Sequence, residues 1–157
     1  MAGAGIFQAQ YDGTEFQEIL DALSKASDPK LEQLAWFMGK ELQDISEKAF
    51  EQEKDPVTGK KWDAIQPRGS EANVPGSVTA ILRDHGILHS SLTHNDSPEG
   101  TVFGSHMEYA RIHQMGGQAG RNKSANIPAR PYMGVPKDFD RRVLNDPAVL
   151  DLLGIGG

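Results

Sequence analysis

Cysteine is absent from this sequence of 157 residues, and aromatic residues and net positive charge are scarce. Without thiols, the chain has no disulfide framework, no cysteine nucleophile and no zinc site built from thiolates. No apolar run approaches the roughly 20 residues that span a bilayer. The first residues lack the basic region of a signal peptide, so we expect cytosolic synthesis. A formal net charge of -6 argues against tight binding to duplex DNA, which depends on cationic contacts to phosphate.

The composition predicts a modest core with long irregular segments. Only 38% of the residues are hydrophobic, the mean hydropathy is -0.50, and the chain has 17 glycines and 9 prolines. A chain of this length forms about one domain. Such a lean profile is typical of a domain that completes its packing against neighbours, and it therefore favours assembly.

The first fifty residues are predicted to be mostly helical. A short strand over residues 6–11 is followed by a helix over about 15–26. A longer helix starts at Pro29, and its apolar residues recur at i, i+3, i+4 and i+7 as far as Phe50. Trp36 lies off this apolar stripe. Core packing is the favoured interpretation for Trp36, and contact with another subunit is the alternative.

The middle of the chain is predicted to hold turns, a long loop and one β-hairpin. A proline-initiated turn occupies residues 55–62, and a surface loop follows over 63–76. Residues 88–94 resemble a strand, residues 95–100 a turn, and residues 101–104 the returning strand.

A stretch from residue 104 to residue 134 organises the rest of the chain. It predicts a short helix that ends at Gly116 and Gly117 in a left-handed C-cap. A polar loop over 118–126 is expected to be mobile. Residues 127–134 carry two prolines, so this segment should be stiff and extended and should position Arg130 and Tyr132.

These patterns together predict an α+β fold. Long N-terminal helices pack on a small, mostly antiparallel β-sheet, and a short helix lies at the C-terminal side over about 136–145. We expect a single domain over residues 1–145 and an apolar C-terminal extension over 146–157.

Three patterns could suggest chemistry, and each has a simpler interpretation. His85 and His89 are four residues apart, a spacing that would suit a metal ion only on a helix. Gly86 argues against a helix at this place. The sequence Gly104-Ser-His-Met is not the Gly-x-Ser-x-Gly pattern of a nucleophile elbow. Gly116-Gly-x-x-Gly-Arg-x-Lys123 lacks the spacing of a phosphate-binding loop. We therefore predict no enzyme, no metal and no cofactor. The five histidines are His85, His89, His94, His106 and His113.

Five motifs occur in an order that resembles a known family. They are Asp55-Pro-x-x-Gly-Lys-x-Trp62, Leu82-x-Asp-His-Gly-x-Leu88, Val102-x-Gly-Ser, Tyr109-Ala-x-Ile-His-Gln-x-Gly-Gly117 and Ile127-Pro-Ala-Arg-Pro-Tyr-Met-Gly134. In order and spacing the chain resembles the virion morphogenesis, or tail completion, proteins of Mu-like tailed phages.

The resemblance implies a structural protein of the phage neck, made in the host bacterial cytoplasm and built into the virion. Similar proteins form rings, with six subunits expected, that join and seal the DNA-filled head to the tail. The implied neighbours are a head-closure or portal-side protein and a tail terminator or tail tube protein. DNA would pass through the channel without specific binding. The alternatives are a tail terminator ring that caps the tail tube and, in another class, a small hydrolase using His113.

Two groups of residues are assigned within this hypothesis. Partner contact is predicted for Arg130, Tyr132, Gly117, Arg121, Lys123, Leu150 and Leu153. A scaffold role is predicted for Trp62, Tyr109, Ile112, Gly116 and Pro128, with core packing also expected for the ring of Tyr132.

Overall fold

A long helix and a β-hairpin packed against it dominate the computed structural model, which describes Glu18, Asp21 and residues 29–64, 81–82 and 86–154. The predicted strand over 6–11 lies outside these residues, as do most of the predicted helix over 15–26 and nearly all of the loop over 63–76. The α+β class is confirmed, because the structure combines helices with two antiparallel two-stranded sheets.

Helix α1 (Lys30–Gln52) follows the predicted periodicity. Its buried face carries Leu34, Ala35, Gly39, Ile45, Ser46, Ala49 and Phe50. The helix ends at Glu53, whose left-handed conformation (φ 52°) lets its N–H bond the carbonyl of Ala49. Trp36 is 45% exposed, so the favoured core interpretation is wrong. Successive residues of a helix lie about 100° apart around its axis. The residue after the buried Ala35 therefore faces away from the sheet.

Helix α2 (Ile87–Ser90) precedes a hairpin of strands β1 (Leu92–Ser97) and β2 (Gly100–Ser105). The predicted strand therefore begins four residues too early. Gly86 has a φ of 64° and starts a single helical turn, in which the Ser91 hydroxyl donates to the Leu88 carbonyl at 2.7 Å. The predicted turn over 95–100 is also too long, because Asn95 pairs with Val102 within the ladder.

Close contact between α1 and the hairpin depends on Gly39. A Cβ at this position would overlap the His94 ring and lie 2.8 Å from Thr101 Oγ1. Asp96 holds both groups in place, since it accepts hydrogen bonds from Thr101 Oγ1 at 2.8 Å and lies 2.9 Å from His94 Nδ1. The helix can therefore approach the sheet only where it has no side chain.

A second hairpin occupies the region predicted to be a mobile loop. Helix α3 (Ala110–Met115) leads into β3 (Gly117–Ala119), a 3₁₀ turn (Arg121–Lys123) and β4 (Ala125–Ile127). The interpretation as a structureless loop is wrong. Three residues with positive φ, Gly120, Asn122 and Lys123, reverse the chain tightly enough for the two short strands to pair.

Two short helices end the described chain, α4 (Phe139–Leu144) and α5 (Pro147–Leu153). Asp146 caps α5 by accepting the N–H of Ala148 at 2.9 Å, and Pro147 is the first residue of this helix. Part of the predicted apolar extension is thus helical. Val149 is wholly buried, and Leu153 packs beside it in the same subunit.

The buried side chains form two clusters that share α1. The first joins the C-terminal half of α1 to the hairpin and to the segments around residues 62 and 132, and it comprises Ala49, Phe50, Trp62, Ile81, Leu88, Leu92, Ala110 and Tyr132. The second joins α1 to the C-terminal helices, and it comprises Leu34, Ile45, Phe139, Val143 and Val149.

Replacing Ser46 with alanine is expected to stabilise the protein by about 0.5–2 kcal/mol, because a buried hydroxyl without a partner costs free energy and alanine favours helix. Ser46 is wholly buried, and its Oγ has no hydrogen-bond partner among the residues that the structure describes. Urea denaturation measures the change. Ser91 is the matched control, because its buried hydroxyl bonds the Leu88 carbonyl and the Ser105 hydroxyl. Ser91→Ala should destabilise, and a loss of stability in Ser46→Ala would contradict the prediction.

Candidate functional site

The extended segment over residues 127–134 is here called the strap. The buried side-chain amide of Gln114 holds it in place. Gln114 Oε1 accepts the backbone N–H groups of Tyr132 and Met133, each at 3.0 Å. Its Nε2 donates to the Met133 carbonyl at 2.8 Å. Gln114 is only 6% exposed, and three backbone groups of the strap bond this one buried side chain.

Tyr132 fills the first core cluster from this strap. Its ring is wholly buried and lies 5.2 Å from that of Phe50, and its hydroxyl donates to the Ala110 carbonyl at 2.8 Å. Burial raises the pKa of the phenol far above its ordinary value. The expected packing role is therefore the one the structure gives, and the partner role assigned to Tyr132 is wrong because this side chain does not reach the surface.

Trp62 supports the strap from the other side. Its indole Nε1 donates to the Pro131 carbonyl at 2.8 Å, and its ring meets Phe50 edge to face at 5.8 Å. The turn before Trp62 is fixed by Asp55, whose carboxylate accepts the N–H of Val57 at 2.7 Å. This motif thus places one aromatic side chain against the strap.

Arg130 also bonds within the subunit. Its Nε donates to the Asp63 carbonyl at 3.0 Å and its Nη2 to the Ala64 carbonyl at 3.3 Å, and the residue is only 8% exposed. Its own N–H donates to the His113 carbonyl at 2.8 Å. The predicted partner role does not fit this placement, because the guanidinium fastens the strap to the chain that follows Trp62.

Gly116 lets the strap approach the end of α3. Its φ is 73° and its ψ is 175°, so the conformation needs glycine but is not the predicted left-handed cap. A Cβ there would lie 2.8 Å from the Ala129 backbone nitrogen. Gly117 also has a positive φ, of 146°, but its Cβ would meet only ordinary contacts with Ile112.

His113 is half-buried between the ring of Tyr109, at 5.9 Å, and the strap. Burial lowers the pKa of its imidazole, and the nearby Arg130 guanidinium lowers it further. Within the described ranges, its Nδ1 has no hydrogen-bond partner. In the part of the chain that the structure describes, no serine hydroxyl bonds this imidazole, so the geometry of an activated nucleophile is not formed there.

The remaining predicted site residues divide between the surface and the partly buried layer. Tyr109 is 37% exposed, so the prediction that it packs in the core is wrong. Ile112 and Pro128 are half-buried. Gly117, Arg121 and Lys123 are exposed on the second hairpin. Leu150 and Leu153 are half-buried.

Two residues with structural roles were not singled out from the sequence: Gln114, which bonds the strap, and Gly39, which lets α1 approach the first hairpin. Gln114 lies four residues after the buried Ala110, so helical spacing alone places it on the inner face of α3. Gly39 sits on the apolar stripe of α1, where a glycine costs helix stability and so indicates a close approach. Among the helices described, none combines the length and apolarity needed to cross a bilayer.

Comparison with known proteins gives consistent matches. A model of the phage virion morphogenesis family matches residues 11–149. A protein of Escherichia phage Mu named putative capsid assembly protein G is 36% identical over 114 residues, which cover 69% of this chain and 71% of the relative. The Mu-like prophage FluMu G protein 2 of Haemophilus influenzae is 36% identical over 65 residues, which cover 41% of this chain and 47% of that protein. No solved structure matches the chain significantly.

Proposed function

The chain belongs to the phage virion morphogenesis family and has a structural or assembly role in the phage particle, and we propose that this role is to join and seal the DNA-filled head to the tail. In this proposal the protein works without catalysis, as a ring of identical subunits at the neck. Six is the proposed number of subunits. The proposed neighbours are a head-closure or portal-side protein and a tail terminator or tail tube protein.

The observation that carries the proposal is that side chains of the five motifs form hydrogen bonds to the backbone of their own subunit. Trp62, Gln114, Arg130 and Tyr132 all direct their polar atoms at backbone carbonyls or N–H groups of the same subunit. Such side chains stiffen a scaffold, whereas catalytic groups face a space that a substrate can enter. A rigid subunit is what a joint between head and tail requires.

The charge of the chain is compatible with a channel for DNA. A formal net charge of -6 gives DNA little reason to adhere to the ring as a whole, so DNA could slide through it. Large hydrophobic side chains are available for contacts outside the subunit. Those exposed are Trp36, Val57, Ile87, Val102, Tyr109 and Met115.

A second candidate role is in building the head itself, and the name of the phage Mu relative favours it, since that protein is called a putative capsid assembly protein. The two roles act at different stages. A head-assembly protein is needed before DNA is packaged, and a joining protein only after heads and tails are complete.

Electron microscopy of particles made without this protein distinguishes these roles. We expect full heads and finished tails that lie separate, because each part assembles alone and only the joint is missing. Supplying the wild-type protein from a plasmid is the control and should restore whole particles. Missing or misshapen heads would replace the proposal with head assembly, and tails of uncontrolled length would replace it with tail termination.

A further inference from the structure

A groove of about 400 Å³ lies between the first turns of α1 and strand β1. Its lining consists of Pro29, Glu32, Gln33, Trp36, His94, Asn95 and Asp96. Two of these residues are acidic and none is lysine or arginine. The groove therefore offers negative charge, amide groups and one large aromatic surface on the outside of the subunit.

The groove is suited to a planar cation. The Trp36 indole is 45% exposed, and Lys40 Nζ already lies 5.5 Å from its centroid, so the ring is in a position to attract positive charge. Glu32 is exposed beside it. Asp96 is held in place by His94 and Thr101. The guanidinium group of an arginine can stack its flat face on a tryptophan ring while its N–H groups donate to a carboxylate.

The same chain also has an exposed hairpin of the opposite charge. Residues 117–127, here called the basic hairpin, contain Arg121 and Lys123 and no aspartate or glutamate. Both side chains are exposed at its turn. Positive φ angles at Asn122 and Lys123, and a bond of 3.0 Å from Ser124 Oγ to the Arg121 carbonyl, fix the shape of the turn.

We propose that the basic hairpin of one subunit docks into the Trp36 groove of the next copy of this chain, with Arg121 stacked on Trp36 and bonded to Glu32. This inference rests on the proposed ring. A closed ring needs two different, complementary surfaces on each subunit, because every copy meets its neighbours head to tail. The groove and the basic hairpin are such a pair in charge, and both lie on one chain.

Charge reversal tests this contact, with native mass spectrometry of the purified full-length protein as the measurement. Glu32→Arg and Arg121→Glu should each weaken ring formation at least about tenfold, because each places like charges in the interface. Mixing the two variants in equal amounts should restore rings with alternating subunits, since each hairpin then meets a groove of opposite charge. Glu51→Arg, at the far end of α1, and Arg141→Glu, on α4, are exposed controls that should leave rings intact.

A cross-link tests the contact even if a charge variant folds poorly. The chain has no cysteine, so Gln33→Cys in the groove and Asn122→Cys in the hairpin introduce the only thiols. Oxidation of the doubly substituted protein should give covalent oligomers up to the size of the ring. Pairing Asn122→Cys with Thr58→Cys, beyond the opposite end of α1, should give none.

The outcomes separate this inference from the proposed function. Wild-type rings that survive both reversals and do not cross-link would overturn the hairpin contact and leave the ring standing. A wild-type protein that stays monomeric at every concentration, and in extracts of assembling particles, would overturn both.

Discussion

Replacing Tyr132 with alanine is expected to lower the unfolding free energy by about 3–5 kcal/mol, the usual cost of removing a large buried aromatic side chain. The ring has no exposed surface, packs on Phe50 and carries the hydroxyl that bonds the Ala110 carbonyl. Its loss leaves a cavity and removes a buried hydrogen bond to the Ala110 carbonyl. Because small domains are stable by only about 5–15 kcal/mol, much of the protein should become insoluble on expression. Urea denaturation of the soluble fraction gives the value.

Two further variants divide this effect into its parts. Tyr132→Phe keeps the ring and should cost only about 0.5–1.5 kcal/mol, for the lost hydrogen bond to the Ala110 carbonyl. Tyr109→Ala removes the same kind of side chain from a position that is 37% exposed, and it should cost less than about 1 kcal/mol. Equal losses for Tyr132→Ala and Tyr109→Ala would show that Tyr132 is not the centre of the core.

Replacing Gly116 with valine is expected to cost about 3–5 kcal/mol, because backbone strain and steric overlap act together there. The φ of 73° is unfavourable for a β-branched residue. A Cβ would also lie 2.8 Å from the Ala129 nitrogen, and that nitrogen belongs to the strap, which cannot move without breaking its bonds to Gln114 and Trp62. Thermal unfolding followed by circular dichroism measures the loss.

Two other glycines separate the strain from the overlap. Gly59 has nearly the same φ, of 72°, but open space around its Cβ position, so Gly59→Val should show the strain alone, about 1–2 kcal/mol. Gly104 lies in β2 with neither feature, and Gly104→Val should be nearly neutral. The expected order of loss is Gly116, Gly59, Gly104, and a different order would refute the steric argument.

The strap shows why so much of the site escaped prediction from sequence. Residues 127–134 carry two prolines, from which the sequence predicts a stiff segment. Their surroundings were not predicted, because an extended segment has no helical or strand periodicity to mark its inner face. Within the resemblance, Arg130 was predicted to contact a partner. It is buried because carbonyls of residues 63 and 64, which lie far away in the sequence, accept its hydrogen bonds.

The hairpins show the same limit in another form. Alternation and turn residues predicted the first hairpin, but its strand begins at Leu92, because the buried Leu88 belongs to a helical turn instead. The second hairpin was missed, since its strands are three residues each and polar. Its shape depends on Asn122 and Lys123 adopting positive φ, which neither residue requires by itself.

What the sequence alone determined is the local structure and the family: helix α1 from its apolar period, the turn before Trp62, the need for glycine after α3, and the five ordered motifs that indicate virion morphogenesis. Only the tertiary structure decided which of three aromatic side chains faces the core. Tyr132 is buried there, whereas Tyr109 and Trp36 are exposed. Spacing along the chain fixes which residues share a face, because backbone geometry is local. What that face meets depends on segments brought together by folding, and so the Trp36 groove and the basic hairpin became visible only in three dimensions.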